Sequence, residues 1–221
     1  PLNIESIFVQ GITQLEQLDI GYARELGYVI KHLGIARQSG AGVELRVHPT
    51  LIPEASLIAG VNDVLNAVMV DADALGSSLY YGRGAGSEPT ASSVLADIID
   101  ISRVLENPSA TWVPALGCTL EALTAQKMIP VADIETCYYL RFSMRDTPGA
   151  LSNATKIMAD AGISIEAIIQ KEQPAGIDYV NVILVTNRLP ERHMNAAVTE
   201  IEDLSTVQGS VTTLRLEHLD Q

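Results

Sequence analysis

The chain has 221 residues, 47% of them apolar, and a formal net charge of −13 at pH 7. This length is sufficient for one or two domains with a buried core, whereas the acidic excess argues against a nucleic-acid or anionic-membrane surface, because phosphate groups are bound by clustered basic side chains. The sequence has four scattered histidines without metal-ligand spacing, so we expect no metal site. Its two cysteines, Cys118 and Cys137, are isolated and do not indicate a disulfide framework. Because we find no signal peptide and no apolar run long enough to cross a membrane, we expect a cytoplasmic protein.

The first elements predicted along the chain are one helix and two pairs of antiparallel strands. Thr13 and Glu16 have the spacing of a helix-capping box, and Gly27 supplies a stop signal. Runs at 28–37 and 42–52, joined by the glycine-rich QSGAG, predict a hairpin, and the second run alternates as a half-buried strand does. A second strand pair is predicted in the runs VLNAVMVDAD and GSSLYYGRG.

A long helix is predicted to begin after Pro89 or Thr90 and to end near Leu105. Its apolar residues form a wide stripe, of the kind that normally covers the face of a sheet. The stripe consists of Ala91, Val94, Leu95, Ile98, Ile101 and Leu105. Residues 107–136 then lose periodicity and contain three prolines, so we interpret them as a connector with one candidate short helix at 120–126.

The second half has the order β-α-β-β-α-β, which is the ferredoxin-like pattern. It begins with a strand at Cys137, continues with a helix over 148–161 that Gly162 ends, and closes with a strand near residue 217. The apolar side chains of the second helix, at 190–204, recur at helical spacing. The predicted fold class is therefore α+β.

The stretch YYGRGAGSEPTASS, residues 80–93, places three glycines between a predicted strand and a predicted helix. A dinucleotide fingerprint requires G-x-G-x-x-G and an acidic residue at the end of the following strand. Here the third glycine comes one residue early, and Asp97 and Asp100 lie inside the helix, so a self-contained Rossmann site is not expected. The loop either lets a ligand approach the backbone or is a tight turn that packs helix on sheet, and the residues alone favour the turn.

The stretch RDTPGALSNATKIMADAGISI predicts a helix with Asp146 or Thr147 as its cap and Pro148 at its first position. This assignment puts Gly149 in the first turn, where glycine costs about 1 kcal/mol relative to alanine. A glycine there also uncovers the unpaired N–H groups of the helix start, which a small carboxylate can reach. Asp146 can hold an ammonium group, so the two features together suit a free amino acid.

Two polar residues on neighbouring predicted strands are candidates for the rest of this pocket. Asn181 is polar within an apolar run, and Gln170 ends the preceding strand. The alternative is that the turn only caps the helix and that Gly149 only allows a close crossing, and the residues do not decide between the two. Other charged residues, among them Asp19 and Glu25, are interpreted as solvated or locally paired.

The second half contains the motif RDTPGALSNATKIMADAGISIEAIIQ followed by YVNVILVT. This motif resembles that of an ACT domain, the small ligand-binding module attached to many amino-acid enzymes. Upstream, IFVQGITQLEQLDIGYARELGYVIKHLG and GRGAGSEPTASSVLADI resemble the C-terminal part of the catalytic region of homoserine dehydrogenase, and G-x-G-A-G-x-x-P-T-A is the most specific element. The resemblance implies the end of a catalytic and dimerisation domain of mostly antiparallel sheet at 1–106, a connector at 107–136, and a ferredoxin-like ACT regulatory domain at 137–221.

The enzyme implied by the resemblance interconverts homoserine and aspartate semialdehyde with NAD(P), on the route to threonine, methionine and isoleucine. Such enzymes begin with a Rossmann domain and a lysine-bearing segment that binds homoserine, and neither is found in this sequence. We therefore expect no catalytic residue in the chain, no tight binding of NAD(P), and no activity of the chain alone.

The resemblance also assigns binding residues. One side of the cofactor cleft is implied to be Gly82, Gly84, Ala85, Gly86 and Thr90. The effector positions of ACT domains match Asp146, Pro148, Gly149, Ala150, Leu151, Gln170 and Asn181. The family implies threonine as effector and a homo-oligomer, dimer or tetramer, without nucleic-acid or membrane partners. The alternative is a stand-alone amino-acid-binding regulatory or dimerisation module.

Overall fold

The computed structural model describes residues 4–106, 117–171, 176 and 178–219. The described residues combine strands with four α-helices, which confirms the predicted α+β class. In space, the described residues of 55–125 form one compact unit, and those of 2–54 and 126–219 form another. The sequence boundaries at residues 106 and 136 stay a prediction, and positions 107–116 of the predicted connector lie outside the described residues.

A 3-10 helix at Ile4–Ser6 precedes a short strand, an α-helix and a long hairpin. These elements are β1 (Phe8–Val9), α1 (Gln17–Glu25), β2 (Tyr28–Ser39) and β3 (Gly42–Pro53). The hairpin confirms the predicted strand pair, but α1 begins one turn after the predicted capping box. The box is formed by Glu16 and Asp19, because the Glu16 backbone N–H donates to Asp19 Oδ2 at 2.9 Å, whereas Thr13 lies in a turn.

The unit of residues 55–125 contains a second hairpin and the longest helix. These elements are β4 (Leu65–Ala72), β5 (Gly76–Arg83) and α2 (Ser87–Glu106). The antiparallel register of β4 and β5 confirms the second predicted strand pair. Helix α2 starts earlier than predicted, since Pro89 fits in a first turn, where its missing N–H is not needed. The expectation that the α2 stripe covers a sheet face is wrong for this chain, because α2 has no buried residue.

The second half has the predicted βαββαβ order. Its elements are β6 (Glu135–Arg145), α3 (Ala150–Asp160), β7 (Ile165–Gln170), β8 (Tyr179–Thr186), the two-residue β9 (Leu189–Pro190), α4 (Glu191–Glu202) and β10 (Val207–Leu216). The antiparallel strands lie in the spatial order β10-β6-β8-β7. Short 3-10 helices at Leu120–Ala122 and Val131–Asp133 precede β6, and the first of them lies where a short helix was predicted.

The first hairpin extends this four-stranded sheet. Strand β3 pairs in parallel with β10, with Thr50 opposite Arg215, and β2 lies along the other edge of β3. Arg215 connects β10 to the residue after β1 and to the start of α4, since its Nη1 donates to Gln10 Oε1 at 2.9 Å and its Nε donates to Glu191 Oε2 at 2.8 Å. Residues from the first quarter of the chain therefore extend the sheet of the second half.

Both faces of the sheet are covered by apolar packing. One face packs on α3 and α4, and its core includes Tyr138, Leu140, Phe142, Met144, Val182, Leu184, Met158 and Met194. The other face packs on α1 and includes Tyr22, Ala23, Leu51, Tyr139, Ile183, Val185, Leu214 and Leu216. Because side chains alternate along a strand, consecutive residues of β6 and β8 contribute to different cores.

The junction between β3 and β10 contains a buried group of charges, which we call the Glu217 cluster (Arg37, Glu44, Arg46, His48, Thr136 and Glu217). Arg46 is 1% exposed, and its Nη2 lies 2.5 Å from Glu217 Oε1 and 2.5 Å from Glu44 Oε1. The pKa of Glu217 lies below its usual value. Burial is the largest single influence and acts to raise this pKa, but the charges and hydrogen bonds of Arg46 and Arg37 together outweigh it.

His48 belongs to this cluster as a neutral side chain. Arg46 Nη1 can only donate, so His48 Nε2, at 3.1 Å, accepts, and Nδ1 carries the proton toward Pro49 O at 3.1 Å. Burial, followed by the charge of Arg215, lowers the pKa of His48 to about 4, while the Pro49 carbonyl and Glu217 act in the opposite direction. The group is therefore uncharged at neutral pH.

This neutral histidine predicts a loss of stability in mild acid. The unfolded chain takes up a proton on His48 near pH 6.5, and the folded protein does so only near pH 4, so stability is full above the first value and falls between the two. Between about pH 7 and about pH 5, the protonation of His48 is expected to lower the free energy of unfolding by about 2 kcal/mol. Denaturant titrations at both pH values should show that the His48→Gln variant loses about 2 kcal/mol less unfolding free energy between them than the parent protein does. Equal losses would contradict a neutral His48.

A second buried group, the Asp19 cluster (Glu16, Asp19, Tyr139 and Arg141), attaches α1 to the sheet. Asp19 is fully buried and accepts from Arg141 Nε at 2.6 Å, from Arg141 Nη2 at 3.1 Å and from the Tyr139 hydroxyl at 3.0 Å. The interpretation of Asp19 as solvated or only locally paired is therefore wrong. Its partners lie about half the chain length away in sequence, where local pattern carries no information about them.

Candidate functional site

The turn before α3 differs from the predicted helix start. Gly149 is the N-cap residue of α3, with φ 89° and ψ −14°, and the Ala150 N–H donates to Thr147 O at 3.1 Å. These values fit the third residue of a type II turn, with Pro148 at the second position. The helix begins at Ala150, so Pro148 and Gly149 precede it. The glycine is required by its positive φ, which side chains other than Asn or Asp rarely adopt.

The helix start keeps open donors in spite of this correction. The Asn153 N–H donates to Gly149 O at 3.1 Å, so the N–H groups of Leu151 and Ser152 have no acceptor within the helix. Gly149 supplies no side-chain cap. Asp146 is exposed beside them, and its backbone N–H donates to Asp178 O at 3.0 Å. The loop thus offers a positive helix end and one carboxylate within a few residues.

The two strand residues predicted for this pocket lie on opposite faces of the sheet. Gln170 is opposite Val182 in the β7–β8 register, and Val182 belongs to the core under α3 and α4. Asn181, the next residue along β8, is opposite Ser143 and alternates onto the face that α1 covers. A ligand on one face of the sheet can contact only one of these side chains, so the structure does not bring all the predicted effector residues together.

The predicted cofactor residues form an exposed strand-to-helix loop. Gly82 is the second-to-last residue of β5, and Gly84 to Gly86 connect β5 to α2. Thr90 lies in the first turn of α2, where its N–H donates to Gly86 O at 3.2 Å. A Cβ on Gly84 would lie 1.8 Å from Asn66 Nδ2, whereas a Cβ on Gly82 would meet nothing within 4 Å. Gly86 has φ 118°. Ala85 is exposed as well.

This loop is open to solvent where the sequence predicts one wall of a nucleotide site. The open space at Gly82 is what a close approach of a ligand to the backbone requires, and the start of α2 supplies N–H donors for an anionic group. The helix-packing interpretation of the loop is weakened, because no residue of α2 is buried.

Sequence reasoning missed a groove beside α1. It has a volume of about 430 Å³ and is lined by Gln17, Leu18, Gly21, Tyr22, Glu25 and Lys171. Lys171 Nζ lies 4.9 Å from the centre of the Tyr22 ring and also pairs with Glu25. Gly21 within a helix is the one sequence signal that points to it, because it leaves a gap in the helix surface. The cation and the carboxylate already neutralise each other, so the groove shows no free charge for a ligand.

Within the described ranges, no cluster of three or more His, Cys, Asp or Glu side chains could hold a metal ion. Of the helices in the part of the chain that the structure describes, none is long and apolar enough to span a membrane.

Known proteins resemble this chain over its whole length. The sequence profile of the homoserine dehydrogenase family matches residues 1–99, and that of the ACT domain matches residues 138–203. Homoserine dehydrogenase of Pseudomonas aeruginosa is 47% identical over 220 residues, which is 100% of this chain and 51% of that protein. Its counterpart in Neisseria gonorrhoeae is 45% identical and covers 99% of this chain and 50% of its own length.

Solved structures agree with these matches. A homoserine dehydrogenase from Thiobacillus denitrificans superposes on this chain with a TM-score of 0.88 and 47% sequence identity. The superposition covers 99% of this chain and 49% of the Thiobacillus denitrificans chain. The Staphylococcus aureus enzyme, at 21% identity and a TM-score of 0.62, shares the fold alone. The chain spans about half the length of the curated relatives it matches. It belongs to the homoserine dehydrogenase family and carries an ACT domain in its second half.

Proposed function

We propose that the chain is the C-terminal portion of an NAD(P)-dependent homoserine dehydrogenase that interconverts L-homoserine and L-aspartate 4-semialdehyde. The observation that carries this proposal is the 47% identity and the TM-score of 0.88 to the Thiobacillus denitrificans enzyme, over 99% of this chain. Threonine, methionine and isoleucine biosynthesis is the route that consumes these compounds. The enzyme works as a homo-oligomer, a dimer or tetramer.

The cofactor contact of this chain is the loop between β5 and α2. When bound, a nicotinamide cofactor accepts the hydride from homoserine or returns it to the aldehyde. Gly82 leaves its side of the loop open, and Gly84 keeps the backbone beside Asn66 free of a side chain. Gly86, Ala85 and Thr90 continue this wall to the start of α2. The loop orients the cofactor from one side only, so the chain alone cannot hold both reactants in reacting geometry.

Activity is expected only when the rest of the enzyme is present. We expect no oxidation of homoserine by the purified 221-residue chain. A chimera in which the unmatched half of the Pseudomonas aeruginosa enzyme precedes this chain should oxidise homoserine with NAD(P). Turnover by the chain alone would contradict the first expectation, and a folded but inactive chimera would contradict the proposal.

Gly82→Ala in the chimera tests the cofactor wall. The new methyl group meets no atom of this chain within 4 Å and the backbone is unstrained, so any effect arises from contact with a ligand or with the added half of the chimera. We expect the KM for NAD(P) to rise about tenfold, which corresponds to about 1.4 kcal/mol. Gly34→Ala in β2 is the matched control, because its Cβ would meet only Val47 at 3.9 Å. An unchanged KM for NAD(P) would show that Gly82 does not contact the cofactor.

The ACT half is proposed to bind threonine as its effector. The carboxylate of the amino acid would accept from the N–H groups of Leu151 and Ser152, and Asp146 would hold its ammonium group. Gln170 lies on the face of the sheet that packs on α3, so it is the strand residue we assign to this site. Pro148, Gly149 and Ala150 shape the turn and leave the donors uncovered.

Paired variants test this assignment. Gly149 is unsuitable, because any side chain at φ 89° strains the turn irrespective of a ligand. Asp146→Asn and Gln170→Ala should each weaken threonine binding by roughly tenfold in calorimetry, since each removes a polar contact to a charged group. Asn181→Ala, on the other face, and Asp160→Asn, at the far end of α3, should leave the affinity within about twofold.

Each calorimetric outcome has a distinct meaning. If Asn181→Ala weakens binding and Gln170→Ala does not, the effector lies on the α1 side of the sheet. If no common amino acid produces heat, the effector proposal fails. A second candidate function is a stand-alone amino-acid-binding or dimerisation module, which is favoured by the complete β10-β6-β8-β7 sheet of the ACT half. An active chimera would argue against it.

A further inference from the structure

Asn66 is a polar residue in an otherwise apolar stretch of β4. The stretch LNAVMV runs from Leu65 to Val70, and Asn66 is its single polar member. In the β4–β5 register Asn66 lies directly opposite Gly82, so its side chain stands on the same face of the hairpin as a residue that has none. The side chain is exposed, and its amide has no hydrogen-bond partner among the residues that the structure describes. The strand therefore presents an unpartnered carboxamide beside the loop that follows β5.

Gly84 in that loop is fitted to the Asn66 carboxamide. Its backbone does not have the positive φ that requires glycine at Gly86, so conformation does not demand a glycine at position 84. Space does, because a Cβ there would lie 1.8 Å from Asn66 Nδ2 and 2.9 Å from Asn66 Cγ. The Gly84 N–H donates to Val64 O at 3.1 Å, which holds the loop against the residue before β4. The glycine thus leaves the room that the amide occupies.

The chemistry of the amide selects the part of a ligand that it can bind. A carboxamide is uncharged and offers hydrogen-bond donors and an acceptor together. Homoserine and aspartate semialdehyde carry ammonium and carboxylate groups, which charged partners bind most strongly. The phosphates of a dinucleotide match the N–H groups at the start of α2, on the far side of the loop. The nicotinamide ring carries a neutral carboxamide, which can form two reciprocal hydrogen bonds with a second carboxamide.

We propose that Asn66 binds the carboxamide of the nicotinamide ring and thereby orients the ring beside the β5–α2 loop. The inference rests on the proposed function, because it requires NAD(P) in that cleft. Asn66 Nδ2 donates to the carboxamide oxygen of the cofactor, and Asn66 Oδ1 accepts from its NH2 group. The backbone at Gly82, where a Cβ would meet nothing within 4 Å, leaves space for the ring next to the amide. Asn66 is then a cofactor-binding residue, and Gly84 is a positioning residue that acts through it.

Fluorescence titrations with NADH and NADPH test Asn66 in the chimera. The reduced cofactor that the parent binds more tightly should bind Asn66→Ala about tenfold more weakly. Asn66→Asp keeps the shape of the side chain but lacks the NH2 donor, so its loss of affinity should be similar. The exposed Asn195→Ala on α4 is the matched control and should leave the affinity within about twofold.

A cofactor analogue identifies the group that Asn66 contacts. The reduced 3-acetylpyridine dinucleotide has a methyl group in place of the carboxamide NH2, so it lacks that donor. In the parent chimera the analogue should bind about fivefold more weakly than the natural cofactor, whereas in Asn66→Ala the two should differ by less than about twofold. The same ratio in both proteins would show that Asn66 does not contact the carboxamide and would overturn the inference.

Gly84→Ala tests the positioning role. Asn66 Nδ2 ends a flexible side chain, so the new methyl group displaces the amide and leaves the backbone in place. The change should weaken cofactor binding about tenfold in the parent and less than about twofold in Asn66→Ala, whose Cβ at position 66 would be 3.6 Å from the new methyl group. Additive losses would contradict the fit between the two residues.

Homoserine oxidation by the parent chimera is measured in parallel, which separates this inference from the proposed function. If the parent binds the cofactor and oxidises homoserine while Asn66→Ala keeps the parent affinity, the inference alone fails. A folded parent that does neither contradicts the proposed function and the inference with it. A raised KM for homoserine at unchanged cofactor affinity would assign the amide to the substrate and would also overturn the inference.

Discussion

Replacing Arg46 by methionine is expected to lower the free energy of unfolding by about 3–5 kcal/mol. Arg46 is the centre of the Glu217 cluster, and its side chain contacts Glu44 and Glu217 at 2.5 Å each. Its removal leaves two carboxylates that are 7% and 2% exposed, and the remaining cation near them, Arg37, lies 3.6 Å and 3.2 Å away at the edge of the cluster. Buried charges without a close partner are strongly destabilising. Denaturant unfolding at neutral pH measures the loss.

A surface pair serves as the control for Arg46. Arg103 and Asp100 form an ion pair at 3.2 Å on α2, and both side chains are 75% exposed. Arg103→Ala should change stability by less than about 0.5 kcal/mol, because solvent screens such pairs. The double variant Arg46→Met, Glu217→Gln should lose less unfolding free energy than the sum of the two single variants. The reason is that it removes one of the two buried carboxylates that the loss of Arg46 leaves without a close cation. Additive costs would show that the two side chains are not coupled.

Replacing Asp19 by alanine is expected to cost about 3 kcal/mol of unfolding free energy. The change leaves the Tyr139 hydroxyl and the Arg141 guanidinium without their buried acceptor. Arg141 keeps the carboxylate of Glu16 at 2.9 Å, which holds the cost at the lower end of the range for broken buried pairs. Helix α1 also loses the cap that Asp19 forms with the Glu16 N–H. Thermal and denaturant unfolding of the chain measure the loss.

Glu25 on the same helix provides the comparison. Glu25 pairs with Lys171, but both side chains are about half exposed, at 44% and 50%. Glu25→Gln should therefore change stability by less than about 1 kcal/mol. Should Asp19→Ala cost no more than Glu25→Gln, α1 would be held by the apolar contacts of Tyr22 and Ala23 alone.

The two clusters explain why the described residues up to Glu54 are grouped in space with the ACT half. The Asp19 cluster attaches α1 to β6, and the Glu217 cluster connects β2 and β3 to β10 and β6. Neither cluster is visible in a boundary drawn by sequence resemblance, because the match to the homoserine dehydrogenase profile ends at residue 99 and that to the ACT domain begins at residue 138. The ACT half therefore contacts the first hairpin directly, through buried charges.

Sequence reasoning described the candidate effector site in part. The D-x-P-G motif correctly located a turn followed by a helix with open N–H groups, because turn residues act locally. It placed Gly149 in the helix, since a positive φ cannot be distinguished from helical glycine by spacing alone. It also grouped Gln170 with Asn181, whose opposite faces depend on a register between β7 and β8 that includes an irregularity near Ala167.

The amino-acid sequence by itself determined the α+β class, the βαββαβ order and the family, because periodicity, turn residues and motifs are properties of neighbouring positions. Only the tertiary structure decided that Asp19 and Arg46 are buried, that β3 joins the ACT sheet, and that the α2 stripe is uncovered. Each of these outcomes depends on partners far away along the chain, or on their absence from the residues described. Burial and charge pairing are set by three-dimensional neighbours, which a local pattern does not contain.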